Sequence, residues 1–166
     1  NAPPLSSPWS GTNVGTFIVE MPALVITEIM YHPDKPPGGS LVDPDRFEFI
    51  ELKNTGATTL DLTGFRFTNG IDFVFAATNG VTSLAPGAYV VVAKDRAAFS
   101  SRYPGVANVA GEFTGNLAND GNRLALVGPV GELILDFRYE DAWLPLTDGA
   151  GFSLVMIDET GPRGTW

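Results

Sequence analysis

Ile50 and Leu52 alternate with Glu51 and Lys53, the period-two pattern of a strand with one buried face. That run, Arg46–Lys53, opens the stretch Phe47–Phe75 around which the rest of the chain is organised. Phe47 and Phe49 share parity with Glu51, so a bulge near Glu48, or packing on both faces at the strand start, is predicted. Asn54–Ala57 reads as a loop, and Asp61–Gly64 carries Leu62 inward before turning on Gly64. Phe65 and Phe67 then precede Asn69-Gly70, with Ile71, Phe73 and Phe75 beyond it. A two-residue loop would put the two aromatic sets on opposite faces. A three-residue loop, Thr68-Asn69-Gly70 with Gly70 left-handed, pairs Phe67 with Ile71 and Phe65 with Phe73 and turns them all to one core. The three-residue loop is expected.

The same reading extends along the chain. Ala23–Tyr31 is a strand, and His32–Arg46, with prolines at 33, 36, 37 and 44, is a long surface loop. Val81–Leu84 and Gly111–Leu117 are short extended pieces, and the apolar run Ala88–Ala93 reads as a central strand. Asp95 is placed to cap a helix over Arg96–Tyr103, which Pro104 stops, and Phe99 and Tyr103 lie four apart to pin it. Arg123–Val127 and Glu132–Tyr139 form a hairpin about Pro129-Val130-Gly131, with Leu133, Leu135 and Phe137 expected on one face. Phe152–Ile157 closes the domain. Seven to nine short antiparallel strands and one short helix make an all-β, immunoglobulin-like sandwich. Its predicted core is Ile26, Ile50, Leu52, Phe65, Phe67, Phe73, Val91, Leu124, Leu126, Leu135 and Leu154. Residues 23–158 form the domain; residues 1–22 are a linker or the end of a preceding domain, with a β-prone run at Thr16–Glu20, and 159–166 a tail.

Composition narrows the function classes. Of 166 residues 44% are hydrophobic, and 19 glycines with 13 prolines favour strands and turns over helices. Net charge is −9 with ten Lys and Arg, which argues against a phosphate-tracking nucleic-acid surface and against an anionic membrane surface. No cysteine is present, excluding disulfides and thiolate chemistry. No apolar run has the length of a membrane span. The ends read as those of a fragment of a longer protein.

Candidate chemistry is sparse. His32 is the only histidine, with no G-x-S-x-G elbow or cysteine to complete a triad, so a turn-capping role before Pro33 is expected. Asp34, Asp43, Asp45 and Glu48 flank the long loop; such hard oxygen ligands suit Ca²⁺, although their spacing is not that of an EF-hand and the plainer reading is a solvated loop. Glu28 and Glu51 lie on two well-defined strands. They are either a carboxylate pair of the glycosidase kind or structural groups that bond backbone or Arg side chains such as Arg66 and Arg138, or simply face water, and the structural reading is expected. Asp136, Glu140 and Asp141 read as surface charge. Trp143, followed by Leu144-Pro145-Leu146, is the candidate for stacking on a sugar or anchoring a partner, against the plainer role of plugging the sandwich end. Trp9 and Trp166 lie in the tails.

ITEIMYHP, RFEFIELKN, LDLTGFRFTNGIDFVF, LAPGAYVVVAKD and GNRLALVGPVGEL, in that order, resemble the lamin-tail domain in its bacterial version, over about Leu24–Asp158. The resemblance implies an s-type immunoglobulin-like sandwich with no enzymatic chemistry of its own, set in large secreted or surface-attached proteins. The expected function is a non-catalytic interaction or spacer module, monomeric, without cofactor or nucleic acid. Its partners are expected to be other domains of the same polypeptide or a surface protein or polysaccharide. The alternative is an accessory module that binds carbohydrate, or uses Ca²⁺, beside a hydrolase, nuclease or kinase-like domain.

Overall fold

The computed structural model describes residues 21–36, 38, 41–159 and 161. The expectations for residues 1–20, including Thr16–Glu20 and Trp9, and for Trp166 lie outside them. Among the described residues, twelve strands make two five-stranded sheets and a small ladder. The first sheet has the order β12 (Leu154–Val155), β1 (Leu24–Met30), β2 (Phe49–Asn54), β7 (Tyr89–Ala93), β8 (Val109–Glu112). The second runs β11 (Leu133–Tyr139), β10 (Asn122–Val127), β4 (Arg66–Asn69), β5 (Ile71–Val74), β9 (Thr114–Gly115). β3 (Leu60–Asp61) pairs with β6 (Ser83–Leu84).

Between the sheets lies a continuous core, which includes ten of the eleven predicted residues. The eleventh, Val91, is buried on the outer face of the first sheet. There it joins Met30, Phe49, Ala93 and Val109 beneath Phe99 of the one α-helix among the described residues, α1 (Arg96–Arg102). Phe49 is thus accounted for by packing on both faces: its ring meets Phe99 edge-on at 5.1 Å. The Asp95 carboxylate caps α1 by accepting the Ala98 N–H at 2.8 Å. Helical residues reach 12% once the 3-10 turns are counted, one of them at Pro44–Phe47.

Four details depart from the expectation. β7 and β8 pair in parallel, joined by α1, whereas the other pairings are antiparallel. A helix between two strands lets the chain return in the same direction. The β4–β5 hairpin pairs Phe67 with Phe73 and Arg66 with Val74, two positions from the predicted register. An even shift keeps every side chain on its face, so Phe65, Phe67, Ile71 and Phe73 all stay buried. Gly70 does adopt φ +84°, and a Cβ there would sit 2.5 Å from Leu124 Cδ2, which leaves glycine as the residue that fits. On β11, Leu133 points to solvent and Ile134 inward, because a register shift between Leu126 and Val127 leaves Ile134 as an extra residue. A similar irregularity leaves Thr27 unpaired in β1, sending Ile29 and Tyr31 to the core while Glu28 faces outward beside β2.

Candidate interaction surface

The four loop carboxylates do not converge. Asp34 pairs with Arg102 at 3.1 Å on the last turn of α1, and the guanidinium also covers the Phe47 ring at 3.9 Å. Asp43 caps the 3-10 turn through the Asp45 N–H at 3.1 Å. Glu48 turns into the interior, 0% exposed; its Oε2 accepts the Leu117 N–H at 3.1 Å, while Oε1 has no partner. Among the described residues no three of Asp, Glu and His gather as metal ligands would.

His32 does more than precede Pro33. Its Nδ1 lies 2.6 Å from Asp148 Oδ1, and its carbonyl accepts the Gly149 N–H at 3.2 Å. It therefore ties the loop after β1 to the segment 141–153. That partner, 116 residues away, could not be seen from sequence spacing.

Glu28 and Glu51 become directly opposed residues on β1 and β2, an unfavourable juxtaposition of like charges unless each is otherwise engaged. Their partners are hydroxyls rather than arginines: Ser153 Oγ donates to Glu28 and Thr27 Oγ1 to Glu51 at 2.7 Å. Burial pushes the Glu51 carboxyl above its ordinary range, the Thr27 bond opposes this, and Glu28 and Glu159 add to the rise. Arg138 turns to Glu140 instead, and Asp136 is held by Arg123 through two bonds of 2.7 Å. Asp141 accepts the Ala142 N–H. Glu28 and Glu51 thus each hold the chain of their own sheet, as a structural pair does. Glu51 also borders a shallow groove of about 340 Å³ with Tyr89, Val91 and Val106.

A more apolar surface lies around the segment that follows Trp143. After β11 the chain makes two 3-10 turns, Asp141–Trp143 and Pro145–Thr147. Thr147 is buried and shares a 2.9 Å hydrogen bond with the Tyr31 hydroxyl, so the segment is fastened at its polar residue. Its apolar residues point outward: Trp143 is 42% exposed, Leu144 49%, Leu146 63% and Phe152 59%. Trp143 leans edge-on against Phe137 of the core, with centroids 6.1 Å apart. Leu144, Pro145, Leu146, Thr147, Phe152 and Ser153 enclose a groove of about 300 Å³. The sequence pattern marks Trp143 and its neighbours, whereas Phe152, expected in a closing strand, lines the groove instead. Only β12, Leu154–Val155, is regular there.

No helix among the described residues is long and apolar enough to cross a membrane. A comparison with curated proteins gave no match. The family model described as Lamin Tail Domain matches residues 20–141.

Proposed function

The chain belongs to the lamin tail domain family, and from that premise we propose that it is a docking module of a longer, secreted or surface-attached bacterial protein. Members of the family are non-enzymatic immunoglobulin-like domains. The module works as a monomer without cofactor, and its partner is another domain of the same polypeptide or a surface protein. The observation that carries this reading is the outward-facing groove of Leu144, Leu146 and Phe152 beside Trp143. Contiguous exposed apolar side chains on a folded domain mark interaction sites, and tryptophan is among the residues that most often anchor them. Placement at the cell surface rests on the resemblance to bacterial members.

The test titrates the adjoining domain of the same polypeptide, produced separately, against the 166-residue chain. Saturable binding is expected, with at least tenfold loss in Leu146→Asp and Phe152→Asp variants that retain the wild-type Tm. Binding unchanged by both substitutions would remove the corner from the proposal.

A second reading takes the exposed Trp143 ring as a platform for a polysaccharide. It predicts retention on insoluble polysaccharide that is lost in Trp143→Ala and kept in Leu146→Asp. A calcium-dependent module predicts instead a rise in Tm with millimolar Ca²⁺, abolished by Asp43→Asn with Asp45→Asn.

A further inference from the structure

Phe113, between β8 and β9, carries the chain from one sheet to the other, and the residues after it run as a strap into β10. Three titratable side chains from three elements hold four consecutive residues of that strap. Lys94, just past β7, donates to the Gly115 carbonyl and to Asn116 Oδ1. Glu48, just before β2, accepts from the Leu117 N–H at 3.1 Å. The Tyr139 hydroxyl, at the end of β11, donates to the Ala118 carbonyl at 2.9 Å. Leu117 itself is buried in the core.

Glu48 is the weak member of this clamp. It is fully buried, makes one side-chain hydrogen bond and leaves Oε1 unpartnered. The charges that face it come from each neighbouring element: Asp43 and Asp45 at the 3-10 turn, Lys94 after β7, and Tyr139 on β11. Burial and the two aspartates oppose a negative charge on Glu48; the Leu117 N–H and Lys94, whose ammonium is engaged on the strap, favour one, and burial is the largest of these effects. Tyr139 stays neutral, since burial, with Glu48 adding, pushes its hydroxyl upward.

We propose that Glu48 is a proton-operated latch: protonated, it keeps the strap Gly115–Ala118 seated across the two sheets, and ionised, it favours release of the strap into solvent. A charge with one hydrogen bond in the interior is disfavoured, and opening the strap hydrates it. In the seated state burial raises the carboxyl from its ordinary 4.5 to about 8; in the released state it regains the ordinary value. Release therefore becomes easier by up to about tenfold per pH unit between those limits and levels off above the upper one.

Amide hydrogen exchange of the 166-residue chain, corrected for the intrinsic pH dependence of exchange, tests this. Protection of the Leu117 amide should fall by up to about tenfold per pH unit from pH ~5 to ~8, and remain flat in Glu48→Gln. Amides of Leu52 and Val92 in the first sheet, which exchange through unfolding of the whole domain, serve as controls and should stay better protected than Leu117 at every pH. Leu117 protection no lower than that of the controls, or the same slope in Glu48→Gln, would overturn the latch. If the variant does not fold, the wild-type Glu48 carboxyl carbon is followed by NMR: titration below pH ~6 sinks the proposal, and titration near the elevated value, with Leu117 exchanging ahead of the controls, supports it.

Discussion

Phe65 shows how much rests on single aromatic side chains. It is buried between the sheets, and its carbonyl accepts the Phe75 N–H at 2.8 Å where the chain leaves the turn at Gly64. Phe65→Ala should cost about 3–5 kcal/mol, the range for emptying a buried aromatic site. Chemical denaturation checks it; a loss under about 1 kcal/mol would place the ring outside the core. Gly70 shows the opposite case, where absence of a side chain matters. Its positive φ and the proximity of Leu124 and the Arg123 carbonyl explain why the hairpin closes on it.

α1 is short, seven residues, and helices of that length do not persist on propensity alone. Two things hold it. Phe99 and Tyr103 pack on Phe49 at 5.1 and 5.5 Å, and Asp95 bonds the Ala98 N–H while also receiving Arg46 Nε at 2.8 Å. Asp95→Ala should therefore destabilise the fold by about 1 kcal/mol, the usual worth of an N-cap. Thermal or urea unfolding measures it. A neutral substitution would mean that packing of the two rings alone holds the helix. Because α1 also makes the crossover between the parallel strands β7 and β8, its fraying should show first in the exchange of β8 amides.

Over the whole molecule, two sets of carboxyls set opposite pH dependences. Asp95 and Asp136 are held below their ordinary range, the first chiefly by the Ala98 N–H and the second by the Arg123 guanidinium. Their stabilisation is present above the ordinary aspartate range and lost as pH falls through the depressed values. Glu48 acts the other way. Burial raises it to about 8, so the folded chain holds a proton that the unfolded chain has released, and stability falls as pH rises from 4.5 towards that value. The net expectation is greatest stability near pH ~5 and a decline on the order of several kcal/mol by pH ~8 that Glu48→Gln removes. Denaturation midpoints across that range provide the check, and a flat profile in the wild type contradicts it. Charge placement bears on partners as well. Lys94 and Arg96 are turned onto backbone carbonyls and Arg102 onto Asp34. The one cluster of cations near α1 is thus occupied internally. With net charge −9, no saturable binding to duplex DNA below about 10 µM is expected at ~150 mM salt. Fluorescence anisotropy measures it, and binding abolished by neutralising those three residues would reverse the conclusion.

The amino-acid sequence by itself determined the sandwich, its core and its helix, because alternation, turn glycines and an N-cap are local signals that act within a few residues. Ile50 and Leu52, Gly70 and Asp95 announce their roles without reference to the rest of the chain. What depends on distant residues only the tertiary structure decided. The bulge that leaves Thr27 unpaired swaps the faces of β1 beyond it, and the extra residue in β11 turns Ile134 inward. His32 meets Asp148, Glu28 faces Glu51, and Glu48 finds Leu117 across 69 residues. Each of these is a pairing whose cost or gain arises from burial and from a partner brought in by packing. Neither quantity is carried by the identity and spacing of the residues themselves.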